Sequence, residues 1–152
     1  MNTMEMESEL FMSDLRNGAK KACPCCGRYA QIYKRKLHAG MTMQLIKLYR
    51  IGGHERFIHV NEMANFFSGT GDMTKFKHWG CIISAENEPD SQTKTSGKWK
   101  ITSKGVSFIL GYIKLPECAY IYDDRLLSFS PQEIGVLDAL GNKFSYMELM
   151  SA

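Results

Sequence analysis

The spacing of apolar residues predicts a helix over residues 40–50. Met41, Leu45 and Leu48 recur three or four positions apart, which is the spacing that places side chains on one face of an α-helix. The glycine pair at residues 52–53 ends the pattern. We therefore expect an amphipathic helix here, and it is the clearest element of the chain.

Further elements are predicted between this helix and residue 80. Residues 57–60 form a short run of apolar and β-branched side chains that favours a strand. Asn61 is suited to cap a helix over the apolar residues that follow it. Asp72 is suited to cap another helix over residues 73–79, which Gly80 ends. The order is therefore helix, strand, helix, helix.

Two strands separated by a polar loop come next. Residues 81–84 predict the first strand, residues 85–97 the loop, and residues 98–102 the second strand. Trp99 and Ile101 are two positions apart, so they share one face of that strand. We expect the pair of strands to pack this apolar face onto the helices.

A final helix of the central region is predicted over residues 104–112, with Thr102 or Ser103 as its cap. It contains the longest apolar run of the chain, residues 106–113. A membrane-spanning helix needs roughly 20 apolar residues, so this run is too short to cross a bilayer. We expect no membrane span and a soluble protein.

The two ends of the chain are less regular. Residues 28–37 fit a strand or a helix, because their apolar and aromatic positions satisfy both periods. Residues 119–122 predict a strand. The sequence Ser-Pro-Gln-Glu at 130–133 forms a capping box, which predicts a helix running to Leu140. Residues 145–148 form a second capping box that opens a short helical turn.

Together these elements predict an α+β fold in three parts. An N-terminal tail with a cysteine knuckle spans residues 1–39, the central core spans 40–113, and a strand–helix extension packed on that core spans 114–152. The chain has 152 residues, 44% of them hydrophobic, which suits a globular domain with small appended parts.

Charge is distributed unevenly along the chain. The net charge is +3, yet residues 13–60 carry ten Lys or Arg against two acids, and residues 116–152 carry two bases and six acids. A basic first half and an acidic tail suggest one face that binds a polyanion or an acidic protein. Solvated faces that bind nothing would give the same pattern, so charge alone does not decide.

Two stretches resemble winged-helix transcription regulators. In Phe-Lys-His-Trp-Gly-Cys-Ile, residues 76–82, a hydrophobic–glycine–hydrophobic step leaves a helix. In Gly-Lys-Trp-Lys-Ile-Thr-Ser-Lys-Gly, residues 97–105, an aromatic-x-hydrophobic-Thr-x-x-Gly step follows the loop. The resemblance covers about residues 40–113 and implies a winged helix-turn-helix core. The whole chain, including its Cys-Pro-x-Cys-Gly motif, is similar to small proteins of bacteriophages, which implies the cytoplasm of a bacterial host.

The winged-helix resemblance implies an interface with double-stranded DNA. The outer side of the helix at residues 73–79 would enter the major groove, and the loop between the strands would touch the DNA backbone. The residues that would bind DNA from this helix and loop are Thr74, Lys75, Lys77, His78, Lys94 and Lys98. Three acids in the same loop, Glu86, Glu88 and Asp90, would repel phosphate and favour use of the fold as a protein-binding scaffold.

A second basic segment lies nearer the N-terminus. Lys34, Arg35 and Lys36 follow the tyrosines at 29 and 33, and nucleic-acid surfaces interleave bases and aromatics in this way. Tyrosines packed inward beside solvated bases would explain the same pattern. We include Lys34, Arg35 and Lys36 among the candidate DNA-binding residues.

The strongest chemical motif is the knuckle Cys23-Pro-x-Cys26-Gly. Two thiolates at this spacing hold one zinc ion, and a closed tetrahedral site needs two more ligands. The candidates are His38, His54, His59, His78, Cys81 and Cys118. Only His78 and Cys81 repeat the knuckle spacing, although Cys81 also fits a core position. A metal-free tight turn with buried thiols and a redox pair remain alternatives. Clustering within an odd total of five cysteines argues against a secreted disulfide scaffold.

No enzyme motif emerges from the sequence, which contains no nucleophile elbow, phosphate-binding loop or zinc-protease motif. We therefore expect a binding protein rather than an enzyme. The leading hypothesis is a phage regulator of transcription that binds double-stranded DNA, with a homodimer as one candidate assembly. The alternative is a protein that inhibits a host machine, such as RNA polymerase or a defence nuclease, and whose partner is a host protein or a nucleoprotein complex.

Overall fold

The first long helix, α1 (Ala39–Arg50), buries the apolar face that its sequence predicts. The computed structural model describes residues 21–22, 29–59, 61–62, 73–86, 96–123 and 125–151. Met41 and Leu45 are buried. The helix begins at His38, whose Nδ1 accepts a hydrogen bond from the Met41 amide at 3.3 Å. It ends before Gly52, whose φ of +98° is a conformation that glycine adopts without strain.

A three-stranded antiparallel sheet lies in the central part of the chain. It consists of β4 (Ile58–His59), β5 (Ile82–Ser84) and β6 (Lys98–Ile101), with β6 in the middle. Trp99 and Ile101 of β6 are both buried, so they share the inner face as predicted. All three strands were expected from the sequence, and their existence is confirmed.

The segment predicted as a helix at residues 73–79 is helical, with a tighter winding than expected. Met73–Trp79 forms a 3₁₀ helix, which Gly80 ends with a φ of +74°. Residues 61–62 are also helical, where the sequence predicts a helix to begin. The remainder of that helix and the proposed cap at Asp72 lie outside the described residues.

Helix α2 (Ser103–Ile109) follows β6 directly and ends three residues earlier than predicted. Thr102 is its cap, because the Thr102 hydroxyl accepts a hydrogen bond from the Gly105 amide at 3.2 Å. The long apolar run of residues 106–113 therefore forms the end of α2 and the turn after it. None of the helices in the described part of the chain is long and apolar enough to cross a membrane.

A second three-stranded sheet joins the two ends of the chain. It consists of β3 (Tyr33–Lys36), β8 (Cys118–Tyr122) and β9 (Arg125–Phe129), with β8 in the middle. Residues 33–36, for which the sequence left strand and helix open, are thus a strand. Strand β9 was not predicted. Two further short strands, β1 (Lys21–Ala22) and β2 (Tyr29–Ala30), pair with each other.

The helix predicted from the first capping box is wrong in its first half. Glu133–Ile134 is a strand, β10, which pairs with β7 (Leu115–Pro116). The groups that would have capped a helix bond to the start of strand β8 and the residue before it instead. The Ser130 hydroxyl accepts a hydrogen bond from the Cys118 amide at 3.0 Å. The Gln132 carbonyl likewise accepts from the Glu117 amide at 2.8 Å.

The helix in this region, α3 (Val136–Leu140), begins three residues after the capping box ends. At the start of this helix, the Gly135 amide donates a hydrogen bond to the Asp138 carboxylate at 3.2 Å. The second capping box does open a helix, α4 (Tyr146–Ser151), and the Glu148 amide donates to the Ser145 hydroxyl at 3.3 Å.

The structure is mixed α and β, and one hydrophobic cluster connects its central and C-terminal parts. The indole nitrogen of Trp79 donates to the Pro116 carbonyl at 2.8 Å, and the Trp79 ring lies 6.0 Å from the ring of Phe129. The Tyr146 hydroxyl donates to the carbonyl of Ile109 at 2.8 Å. The contacts of Trp79 attach the end of the 3₁₀ helix to β7 and β9, and the Tyr146 hydrogen bond attaches α4 to α2.

Candidate nucleic-acid interface

The 3₁₀ helix presents its polar residues on the side away from the core. Met73, Phe76 and Trp79 are buried, because a helix with three residues per turn aligns every third side chain in one row. The four residues between them are partly exposed, as the sequence predicted for a recognition helix. These are Thr74, Lys75, Lys77 and His78.

Buried contacts hold the 3₁₀ helix in place at both ends. The side-chain oxygen of Gln44, a buried residue of α1, accepts a hydrogen bond from the Met73 amide at 3.3 Å. Near the other end, the Cys81 amide donates to the Phe76 carbonyl at 3.2 Å. The ring of Phe76 packs 6.2 Å from that of Phe108 on α2. The partly exposed residues of this helix are therefore held on a fixed support, and the Nε2 atom of His78 is itself buried.

A surface cleft of about 190 Å³ lies between strand β3 and the 3₁₀ helix. Its lining residues are Lys34, Arg35, Lys36, His38, Met41 and Lys75. The structure thus brings together two groups of basic residues that are about 40 positions apart in the sequence. None of the described residues that line the cleft carries a carboxylate, so its electrostatic potential favours an anion.

Strand β3 displays its basic residues at the edge of its sheet. All four residues of Tyr33–Lys36 are exposed, and Tyr33 retains 52% of its surface. The alternative in which this tyrosine packs inward is therefore wrong. The guanidinium of Arg35 lies 5.5 Å from the centre of the Tyr33 ring, a stacked contact that limits the positions available to the arginine.

The chain is anchored where β3 meets α1. Leu37 is buried, and its amide donates to the Glu117 carbonyl at 2.8 Å. Lys36 forms an ion pair with the carboxylate of Glu117 at 3.4 Å, which neutralises part of its charge. Arg35 and Lys34 make no ion pair with a described residue.

The residues predicted for the wing are separated from this cleft. Lys98 is exposed at the start of β6, opposite His59 of β4, and it does not line the cleft. Lys100 lies on the outer face of the same sheet, 5.9 Å from the ring centre of Phe57. Lys94 and most of the loop that carries it lie outside the described residues.

The metal candidates are only partly described, because Cys23 and Cys26 lie outside the described residues. Cys81 is completely buried, and burial raises the pKa of its thiol to about 12, while nearby Lys104 acts in the opposite direction. This burial is what a core position for Cys81 requires. Within the described segments, no three His, Cys, Asp or Glu side chains cluster in a way that could hold a metal, so His78 and Cys81 do not form part of such a group there.

No protein-family model matches this chain, and no curated protein or solved structure is significantly similar to it. The function therefore has to be argued from the geometry of the site and from the sequence motifs.

Two residues that position the interface were missed by the sequence analysis. Gln44 falls in the apolar stripe of α1, and a polar residue in such a stripe is a signal for a buried hydrogen bond. His38 caps α1 with a ring nitrogen, although Ser, Thr, Asp and Asn are the residues preferred there. The first signal was readable from the sequence, whereas the second was not.

Proposed function

We propose that this chain is a winged-helix protein that binds double-stranded DNA and regulates transcription. The arrangement β4–β6–β5, with the 3₁₀ helix before β5 and α2 after β6, supports the proposal. In this reading the 3₁₀ helix is the recognition helix, and β5 and β6 are the strands of the wing. From the resemblance of the sequence motifs to those of small bacteriophage proteins, we infer that the regulated genes are those of a phage or of its bacterial host.

The observation that carries the proposal is the orientation of the 3₁₀ helix. Its apolar side chains are all buried, while Lys75 and Lys77 lie on its outer side next to the polar side chains of Thr74 and His78. Side chains of these types contact base edges and phosphates in DNA grooves. The basic cleft beside the helix adds further positive charge on the same part of the molecule.

The test is a titration of a fluorescein-labelled DNA duplex over a series of salt concentrations. Each phosphate contact with B-DNA should contribute roughly −0.9 to the slope of log affinity against log salt. We expect a linear fall with a slope that corresponds to several contacts. Absence of binding at low salt would contradict the proposal.

The second candidate function, a protein that inhibits a host machine, is favoured by an apolar surface on the outer face of the first sheet. Ile83 is 50% exposed and Tyr112 is 79% exposed, and both line the same groove together with Leu110. Exposed Phe57 contacts Lys100, which lines the same groove. Several exposed apolar residues along one groove often mark a protein-binding surface.

A pull-down from nuclease-treated bacterial lysate separates the two candidate functions. If a protein partner binds through the apolar surface, it should survive DNA digestion and be lost with Ile83→Glu. Leu127→Glu is a matched control, because Leu127 is an exposed residue of β9, an edge strand in the other sheet. A partner that disappears on nuclease treatment would support DNA binding instead. Light scattering of the purified protein would show whether it forms a homodimer in solution.

A further inference from the structure

We infer that the cleft between β3 and the 3₁₀ helix binds a phosphate group of the DNA backbone, with Arg35 as its principal ligand. This inference rests on the proposed function, and it assigns a DNA-binding role to a strand of the second sheet. The cleft is lined by three consecutive cations from β3 and by Lys75 from the 3₁₀ helix.

The charge of the cleft argues for an anionic ligand. Four basic residues line a space of about 190 Å³, and none of its described lining residues is acidic. The carboxylate of Glu117 pairs with Lys36 and offsets part of this positive charge. An anion in the cleft would gain charge-assisted hydrogen bonds from the basic side chains that reach it.

The cleft is held by buried contacts on three sides. Leu37 anchors the end of β3, and Met41, which is buried, forms part of the cleft wall at the start of α1. The hydrogen bond between Gln44 and the Met73 amide fixes the 3₁₀ helix to α1. Because the lining elements are joined in this way, little reorganisation is needed when a ligand binds.

The geometry points to phosphate as the ligand and to Arg35 as the residue that orients it. A guanidinium donates two parallel hydrogen bonds to the oxygens of one phosphate, whereas a lysine acts as a point charge. The stacked Tyr33 ring restricts where the guanidinium of Arg35 can lie. Lys36 already pairs with Glu117, so it is a weaker candidate for this role.

The position of Lys75 links the cleft to the DNA backbone rather than to an acidic protein. Lys75 lines the cleft, and it lies next to Thr74 on the helix that we propose reads the major groove. A groove is always flanked by backbone phosphates, and contacts to them set the orientation of a DNA-binding protein. A ligand of the cleft would therefore be the phosphate beside the groove.

The test compares Arg35→Ala, Arg35→Lys and Arg125→Ala in the salt titration with duplex DNA. Arg35→Ala should weaken binding roughly tenfold at low salt for every sequence and reduce the salt slope by about one. Arg35→Lys should keep the slope and recover part of the affinity. Arg125 is an exposed arginine on β9, at the other edge of the same sheet, so its loss should change neither value. An Arg35→Ala protein with wild-type affinity and slope would overturn the inference and leave the proposed function standing.

A titration with inorganic phosphate, followed by amide chemical shifts, tests the cleft without DNA. Shifts at Leu37 and Met41 that Arg35→Ala abolishes are expected. If these shifts occur while Arg35→Ala leaves DNA binding unchanged, the cleft is a site for free phosphate and the assignment to DNA is wrong. If the wild-type protein binds no DNA, the proposed function fails, and absence of shifts with phosphate would then reject the cleft as a phosphate site as well.

Discussion

At the scale of single residues, the structure explains why a threonine at position 102 and a glycine at position 105 are both required. The Thr102 hydroxyl donates to the Gly80 carbonyl at 2.6 Å and accepts from the Gly105 amide, so it joins the end of the 3₁₀ helix to the start of α2. A Cβ atom at Gly105 would lie 2.4 Å from the carbonyl oxygen of Cys81, which belongs to the backbone. Only glycine therefore allows α2 to approach the backbone of Cys81, the residue before β5, this closely.

We predict that Gly105→Ala destabilises the protein by about 2–3 kcal/mol, as overpacking against an immobile neighbour does. Urea denaturation followed by circular dichroism measures the change in the free energy of unfolding. Gly135→Ala is the control, because its new Cβ would lie no closer than 3.8 Å to another heavy atom. A loss for Gly105→Ala as small as that of the control would show that α2 can move away from the strand.

The buried Cys81 thiol should be unreactive in the folded protein. Because burial raises its pKa to about 12, almost none of it is thiolate at pH 8, and alkylating reagents attack the thiolate. We expect iodoacetamide to label Cys81 only after unfolding, as measured by mass spectrometry of its peptide. As the pH rises, the thiol ionises in the unfolded protein before it ionises in the folded one. The free energy of unfolding should therefore fall progressively above about pH 9. Rapid labelling of the native protein at pH 8 would contradict the assignment of Cys81 to the core.

At the scale of elements, the sequence predicted those parts in which burial follows a regular period. The apolar positions that recur along α1 are buried, and β6 alternates buried positions with more exposed ones, so both were predicted. Strand β3 exposes all its residues, and β9 exposes both Leu126 and Leu127, so neither has an alternating pattern to detect. The capping box at 130–133 failed because its polar groups bond to β8 and to the residue before it, a long-range pairing that local sequence does not show.

The outward side of the 3₁₀ helix can be tested with a pair of substitutions. We expect Lys75→Ala with Lys77→Ala to abolish the preference for a specific sequence and to reduce the salt slope of the remaining non-specific binding by about two if both lysines contact phosphates. The melting temperature should change little, since neither residue is buried. The control is Lys114→Ala with Lys143→Ala, which removes the same charge from two exposed lysines outside the helix. Equal affinity of the two double variants would reject the assignment of the recognition helix.

At the scale of the whole molecule, folding creates the candidate site by joining distant parts of one core. Lys75 and the basic residues of β3 meet because α1 packs against the 3₁₀ helix and follows β3 directly. Both basic groups were candidates from the sequence. Nothing in the sequence indicates that they line one cleft, because no helix or strand period relates residues so far apart. The contacts of Trp79 with Pro116 and Phe129 show likewise that the C-terminal part supports the central one.

The described residues already form a hydrophobic cluster. A metal bound at the N-terminal knuckle would therefore add stability to a fold that has its own core. We predict that protein purified without chelators carries about one zinc ion per chain, because two thiolates at this spacing can bind one zinc ion. Cys23→Ser or Cys26→Ser should abolish the zinc content measured by elemental analysis, whereas Cys25→Ser, which changes the intervening thiol, should retain it. A chelator should lower the melting temperature, since the free energy of metal binding also stabilises the folded chain. Reduced protein without zinc would leave the metal-free turn as the explanation of the Cys-Pro-x-Cys-Gly motif.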